Sequence, residues 1–140
     1  MKCAMELMVT AATRAEENAS AWAAERAKEA VERRKNTIKY CEEIGDYLER
    51  MANNGKKPTK TFLCGGYLHY RVLGGTHSHY KDGRLSYYAI SEEIDLDVMA
   101  EWFAPYCFIV KRKECRYWSY GSGEVTGCQV TIEPQPECIS

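Results

Sequence analysis

Residues 5–52, MELMVTAATRAEENASAWAAERAKEAVERRKNTIKYCEEIGDYLERMA, hold no Pro and a single Gly, Gly45. Ala, Glu, Arg, Lys, Met and Leu dominate this run, and all of them favour helix. Apolar side chains recur three and four apart at Met5, Met8, Ala12, Ala15, Ala19 and Trp22. The rhythm resumes at Val31, Ile38, Cys41, Ile44, Leu48 and Met51. That period predicts a helical arm over residues 1–55. Between the two stretches, Glu32-Arg33-Arg34-Lys35-Asn36-Thr37 interrupts the stripe and leaves two arrangements open. One is a single helix of about 45 residues. The other is a helical hairpin bent near Lys35 to Thr37, with Asn36 or Thr37 as the second N-cap.

Neither arrangement leaves the arm comfortable alone, because an isolated helix is marginal until its apolar face is covered. The first half of the stripe is mostly Ala, so two backbones can approach closely while each residue buries little area. Such a seam suits another helix better than a sheet. Met5, Met8, Ala12, Ala15, Ala19 and Trp22 are therefore the expected oligomer seam, either in a homodimer or against a partner protein. The plain alternative is that the stripe covers the chain's own sheet. Ile38, Ile44, Leu48 and Met51 are the part expected to pack internally. Asn53-Asn54-Gly55 supplies a left-handed stop, and Lys56-Lys57-Pro58 the connector.

Residues 59–140 differ in chemistry, holding most of the aromatic residues and all three His. Thr59 to Leu73 reads as two short strands or one bulged strand, with Gly65-Gly66 at the irregularity. Residues 74–83 read as a hairpin loop, followed by a strand from Arg84 to Ile90. Ser91 or Asp95 is placed to cap a short helix carrying Leu96, Met99 and Phe103, which Pro105 closes by forcing Ala104 out of helical geometry. A strand from Tyr106 to about Lys113 follows. Then Arg116 to Tyr120 pairs with Val125 to Ile132 around Gly121-Ser122-Gly123. The expected class is α+β: a long N-terminal helix or helical hairpin, then a small, mostly antiparallel sheet with one short helix.

At 140 residues with a formal charge of −1, the chain can bury a core but exerts no bulk attraction on nucleic acid. No apolar run approaches the roughly 20 residues of a spanning helix, and the N-terminal stretch carries Glu6 where a signal peptide would be apolar. A cytoplasmic protein is expected, with no membrane partner. The seven Cys are odd in number and form no Cys-x-x-Cys pair, so reduced structural thiols are expected, with Cys64, Cys107 and Cys128 inside strands.

Three clusters could carry chemistry. Cys64, His69, His77 and His79 bear Zn²⁺-type donors, but their spacing matches no recurrent ligand pattern. The same histidines, with Arg71 or Arg84 on a phosphate, would make a small His-based or metal-assisted phosphodiesterase, for which no third group can be placed. No nucleophile elbow, Walker loop or dinucleotide fingerprint occurs, so no catalytic residue, metal or cofactor is expected. Lys111, Arg112, Lys113, Arg116, Tyr117, Trp118 and Tyr120 interleave cations with aromatics, joined by Arg84 and Tyr87, and extended by Tyr80 and Tyr88. That pattern suits a protein interface, where Tyr, Trp and Arg are enriched, or a nucleic-acid or nucleotide platform. An ordinary solvated strand face gives the same pattern. The acidic set Glu92, Glu93, Asp95, Asp97 and Glu101 fits the start of the short helix, or an acidic patch that docks on a basic partner.

These features point to a non-enzymatic binding protein, homodimeric through its arm, that engages a macromolecular partner, most readily a protein. The nucleic-acid or nucleotide module is the alternative. In general character the chain resembles accessory proteins carried by phages and mobile elements. Many of those inhibit a host defence factor, anti-CRISPR proteins and sponges for signalling nucleotides among them. The resemblance covers no motif and transfers no residues.

Overall fold

A computed structural model describes residues 1–66, 68–78 and 85–138, the side chains of 76–78 and 138 excepted. Helix α1 runs unbroken over Ala4–Asn53, 50 residues, so the single-helix arrangement holds. The polar run at 32–37 contains no helix breaker, and Thr37 does not cap a second helix. Its hydroxyl donates to the Arg33 carbonyl at 2.6 Å and accepts the Asp95 backbone N–H at 2.8 Å. After Asn53 the helix closes in a Schellman arrangement: Gly55 N–H bonds the Ala52 carbonyl and Lys56 N–H the Met51 carbonyl. Gly55 takes φ +73°, the left-handed geometry that the sequence reading assigned to it.

The chain divides into two compact units, Met1–Glu32 and Arg33–Ser140. In the first, every residue is exposed. In the second, the remainder of α1 buries Thr37, Cys41, Ile44 and Leu48. The Ile44 and Leu48 expectation is met, with Ile38 and Met51 half-buried at its margins.

Unit two carries strands β1 (Lys60–Gly65), β2 (Arg71–Ser78), β3 (Leu85–Ala89), β4 (Phe108–Ser119) and β5 (Gly123–Pro134). They follow one another around a closed barrel, with β5 pairing back onto β1. Every described strand pair is antiparallel except β3 with β4, which meet through Ser86–Trp118 and Tyr87–Ser119. That parallel step follows from connectivity, because helix α2 (Leu96–Phe103) supplies the crossover between them. Mostly antiparallel α+β is therefore the class.

Four local expectations need correction. Residues 74–78, expected in a hairpin loop, belong to β2 and pair with β3. The segments expected as separate strands before and after Glu114-Cys115 form one strand, β4, because Glu114 and Cys115 stay in register with Cys128 and Gly127. Ala104 keeps right-handed helical geometry (φ −54°, ψ −45°) despite Pro105, which lies in a short 3₁₀ turn over Ala104–Tyr106. The reversal comes at Cys107, at φ 61°, so Cys107 lies in the turn before β4 rather than in a strand.

The core joins three sources. Cys41, Ile44 and Leu48 come from α1; Ile94, Leu96, Met99 and Phe103 from α2 and its approach; and Phe62, Cys64, Val72, Cys128, Val130 and Ile132 from the barrel. Asp95 caps α2, its carboxylate accepting from the Asp97 and Val98 N–H groups. Ser91, the other proposed cap, instead accepts the Val72 N–H at 2.7 Å. Cys64 and Cys128 are register partners across β1 and β5, both buried, and the six described cysteines are free.

Candidate binding surfaces

Strand geometry decides what the β4 cluster can do. The β4–β5 ladder is regular along its whole length, so neighbours on β4 point to opposite faces. Arg112, Glu114, Arg116 and Trp118 share one face, while Lys111, Lys113, Cys115 and Tyr117 share the other. Each face thus carries two cations and one aromatic ring, so the cluster is divided between two faces rather than presented on one. Most of the cations also have carboxylate partners. Lys111 holds Glu133, Arg112 reaches Asp97 at 2.6 Å, and Arg116 reaches Glu124 at 3.7 Å. The Lys111 hydrogen bond keeps the Glu133 carboxyl below its ordinary range. Lys113 has no such partner among the described residues.

The aromatics of this region pack against the chain as well. The Tyr117 ring meets Tyr87 edge-on at 6.1 Å. A side chain at Gly65 or Gly127 would run into the Tyr117 ring, so those glycines exist to let it lie across the sheet. Burial, then the neighbouring Cys115, pushes the Tyr117 hydroxyl pKa up. Tyr87, Tyr117 and Trp118 line a shallow cavity of about 360 Å³ with Leu63, Leu85 and Arg116. Tyr120 lies at the β4–β5 turn, 80% exposed, with its backbone N–H donating to the Tyr87 carbonyl. Arg84 and Tyr80 lie outside the described residues.

The histidine cluster is only partly visible. Cys64 is buried in β1, and His69 lies in the β1–β2 connection beside a cavity of about 570 Å³ that Arg112, Glu114 and Thr126 also line. The His77 side chain and all of His79 lie outside the described residues. Among the described residues no three His, Cys, Asp or Glu side chains gather in a metal-binding group. Among the described residues, four of the five side chains of the acidic set, Glu92 being the exception, have partners within the chain. Glu93 contacts Arg33 and Arg71, Asp97 contacts Arg112, Glu101 contacts Arg34, and Asp95 caps α2.

The seam residues lie on α1 within unit one, where Met5 is 74%, Met8 71% and Trp22 70% exposed. Leu7, Val9 and Val31 are exposed beside them.

A further surface escaped the sequence reading. Trp102, Phe103, Tyr106 and Phe108 form a run of ring contacts, with Trp102 at 4.8 Å from Phe103 and 5.3 Å from Tyr106, and Phe103 at 6.1 Å from Phe108. Together with Leu48, Ala52 and Pro58 they floor a groove of about 380 Å³. Glu42, Asp46 and Glu49 of α1 form its rim. The available signal was the density of aromatics over 102–108, together with three carboxylates spaced four and three apart on a helix.

No helix among the described residues is long and apolar enough to cross a membrane. Comparisons with protein-family models, curated proteins and solved structures find no match.

Proposed function

We propose that this chain is a non-enzymatic binding protein that assembles as a homodimer through residues 1–32 and engages a protein partner with its barrel unit. The observation that carries this reading is a helical segment in which every residue, large apolar ones included, is exposed. Helix propensity alone leaves such a segment marginal, and covering its apolar stripe is the usual source of stability.

The seam itself favours an antiparallel second copy. Its spacing of three, four, three, four, three is the same read from either end, so Met5 meets the second copy's Trp22, Met8 meets Ala19, and Ala12 meets Ala15. Met on an indole ring is a favourable contact, and the alanines allow close approach. Parallel pairing would bring Arg26, four residues beyond Trp22 on the same stripe, against its own copy. The barrel's partner is read as a protein because the β4 cations are largely held by carboxylates and the net charge of −1 gives no attraction to phosphates.

Light scattering coupled to size exclusion tests the assembly. Twice the 16.0 kDa chain mass is expected, falling to the monomer value in Ala15→Glu, which puts a charge at the centre of the seam. A monomer for the unsubstituted chain at high concentration would sink the reading. Absorbance at 260 nm above that of protein alone would transfer it to the nucleic-acid alternative.

A further inference from the structure

We propose that the aromatic groove of unit two binds a cationic, proline-containing segment of a partner protein in extended polyproline II geometry. This rests on residues of unit two and is independent of the assembly reading. Two properties of the groove coincide. Its floor consists of flat apolar faces: Trp102 half-buried against the core, Tyr106 63% exposed, and the Pro58 ring beside them. Its rim consists of Glu42, Asp46 and Glu49, which the helical period places on one side of α1. Among the described residues, no Lys, Arg or His forms an ion pair with any of these three carboxylates. A negative rim without its own cation, above ring faces without a cover, is complementary to a ligand that is basic and apolar together.

Geometry selects the extended ligand over a helical one. A docked helix needs a trench long enough for anchors spread over two turns. The groove holds about 380 Å³, enough for two or three side chains. At Gly45 the α1 backbone lies close to Trp102, so that a methyl group there would sit in ordinary contact with the indole at 3.4 Å. The opening continues past Tyr106 and Phe108 into a wider depression bordered by Lys57, Pro134 and Pro136, where the apolar rather than the basic end of the segment would lie. An extended chain has room to run on in that direction. Proline rings stack on Trp and Tyr faces and lose little entropy on binding, because the polyproline II form is already populated in the free peptide. An arginine at the end of the segment reaches the carboxylate rim, where its planar fork pairs best.

The test is fluorescence anisotropy with a labelled synthetic peptide, two arginines followed by Leu-Pro-Pro-Leu-Pro, titrated with the full chain. Saturable binding is expected. Tyr106→Ala should weaken it about tenfold or more, as loss of a central aromatic contact does. Asp46→Lys should weaken it further and remove its salt dependence. Both positions are exposed, and an unchanged circular dichroism spectrum checks that the variants fold. Replacing the prolines by alanine at constant charge should also weaken binding. No saturable binding, binding indifferent to both substitutions, or equal affinity for the alanine peptide would each overturn the proposal. Mass measured on the same samples separates the two readings. Lost binding with an intact dimer counts against the groove alone, and intact binding by a monomer counts against the seam alone.

Discussion

Helix α1 contains two regions of similar composition and spacing with different supports. From Met1 to Glu32 no residue is buried, whereas from Arg33 onward Thr37, Cys41, Ile44 and Leu48 are sealed from solvent. Propensity explains why both are helical, since neither contains a breaker beyond Gly45. It does not explain why either persists. The second region is held by burial and by Thr37, whose hydroxyl ties α1 to the start of α2. The first has local contacts such as Arg14–Glu17 and the hydroxyl bonds of Thr10 and Thr13 to carbonyls one turn back. The lesson is that an amphipathic pattern predicts helix well and predicts its cover poorly.

Alkali should break the comparison most severely. Burial pushes the Cys41 thiol from 9.0 up to about 12, helped by Glu42, and the Cys64 thiol likewise, helped by Cys128 and Cys115. Burial also raises the Tyr40 hydroxyl from 10.0 to about 12, with Cys64, Glu43 and Cys41 adding to it. These groups hold their protons more tightly when folded than when unfolded. Their contribution is therefore complete below pH 9.0 and is lost as pH rises toward 12. Each thiol adds a slope of up to about 1.4 kcal/mol per pH unit in that window. Urea midpoints should fall steeply across it for unit two. A thiol reagent at neutral pH should modify exposed Cys3 at once and Cys41 only after unfolding. A flat midpoint, or prompt labelling of Cys41, would mean that α1 is not sealed where it meets the barrel.

Cavity formation comes next. Leu48 is 3% exposed, and Leu48→Ala should cost about 2–5 kcal/mol by urea denaturation. Met8→Ala removes a comparable side chain from the exposed region. It should leave the unit-two transition within about 0.5 kcal/mol and act only on the concentration dependence of assembly. Equal effects at the two sites would erase the distinction between the regions.

How much of this was legible in the sequence follows the range of the forces involved. The helical arm, its Gly55 stop, the choice of Ser91 or Asp95 as a cap, the Leu96–Met99–Phe103 face and the turn at Gly121 to Gly123 are local, and residue type with spacing expresses them. β4 was misread because Lys111, Arg112, Lys113 and Glu114 are all exposed, which removes the alternation that marks a half-buried strand. Barrel closure depends on Lys60 through Cys64 finding Cys128 through Ile132, a pairing no local pattern encodes. The groove draws on α1, Pro58, α2 and β4, so its aromatics and its carboxylates were each visible but their meeting was not.

Gly45 offers a smaller and opposite effect. A methyl group there meets only the Trp102 ring at ordinary contact distance, so Gly45→Ala should stabilise unit two by about 0.5–1 kcal/mol. The matching change in the other region, Ala24→Gly, should lower helical ellipticity without moving the unit-two midpoint. Destabilisation by Gly45→Ala would show that the indole cannot give way and that the groove floor is rigid.

The finest discrimination lies in the ion pairs. Arg14–Glu17 is an i,i+3 pair at 3.2 Å with side chains 74% and 58% exposed, so solvent and salt screen it. Glu17→Gln should change helicity by no more than about 0.3–0.5 kcal/mol at low salt, and by nothing measurable in 1 M salt. Arg33–Glu93 in the other region is longer, at 3.7 Å, yet Arg33 is only 15% exposed and Glu93 also meets Arg71. Glu93→Gln should therefore cost more, and more of that cost should survive high salt. If the two substitutions proved equal and equally screened, burial would not be what separates the regions, and the difference would have to come from assembly through residues 1–32.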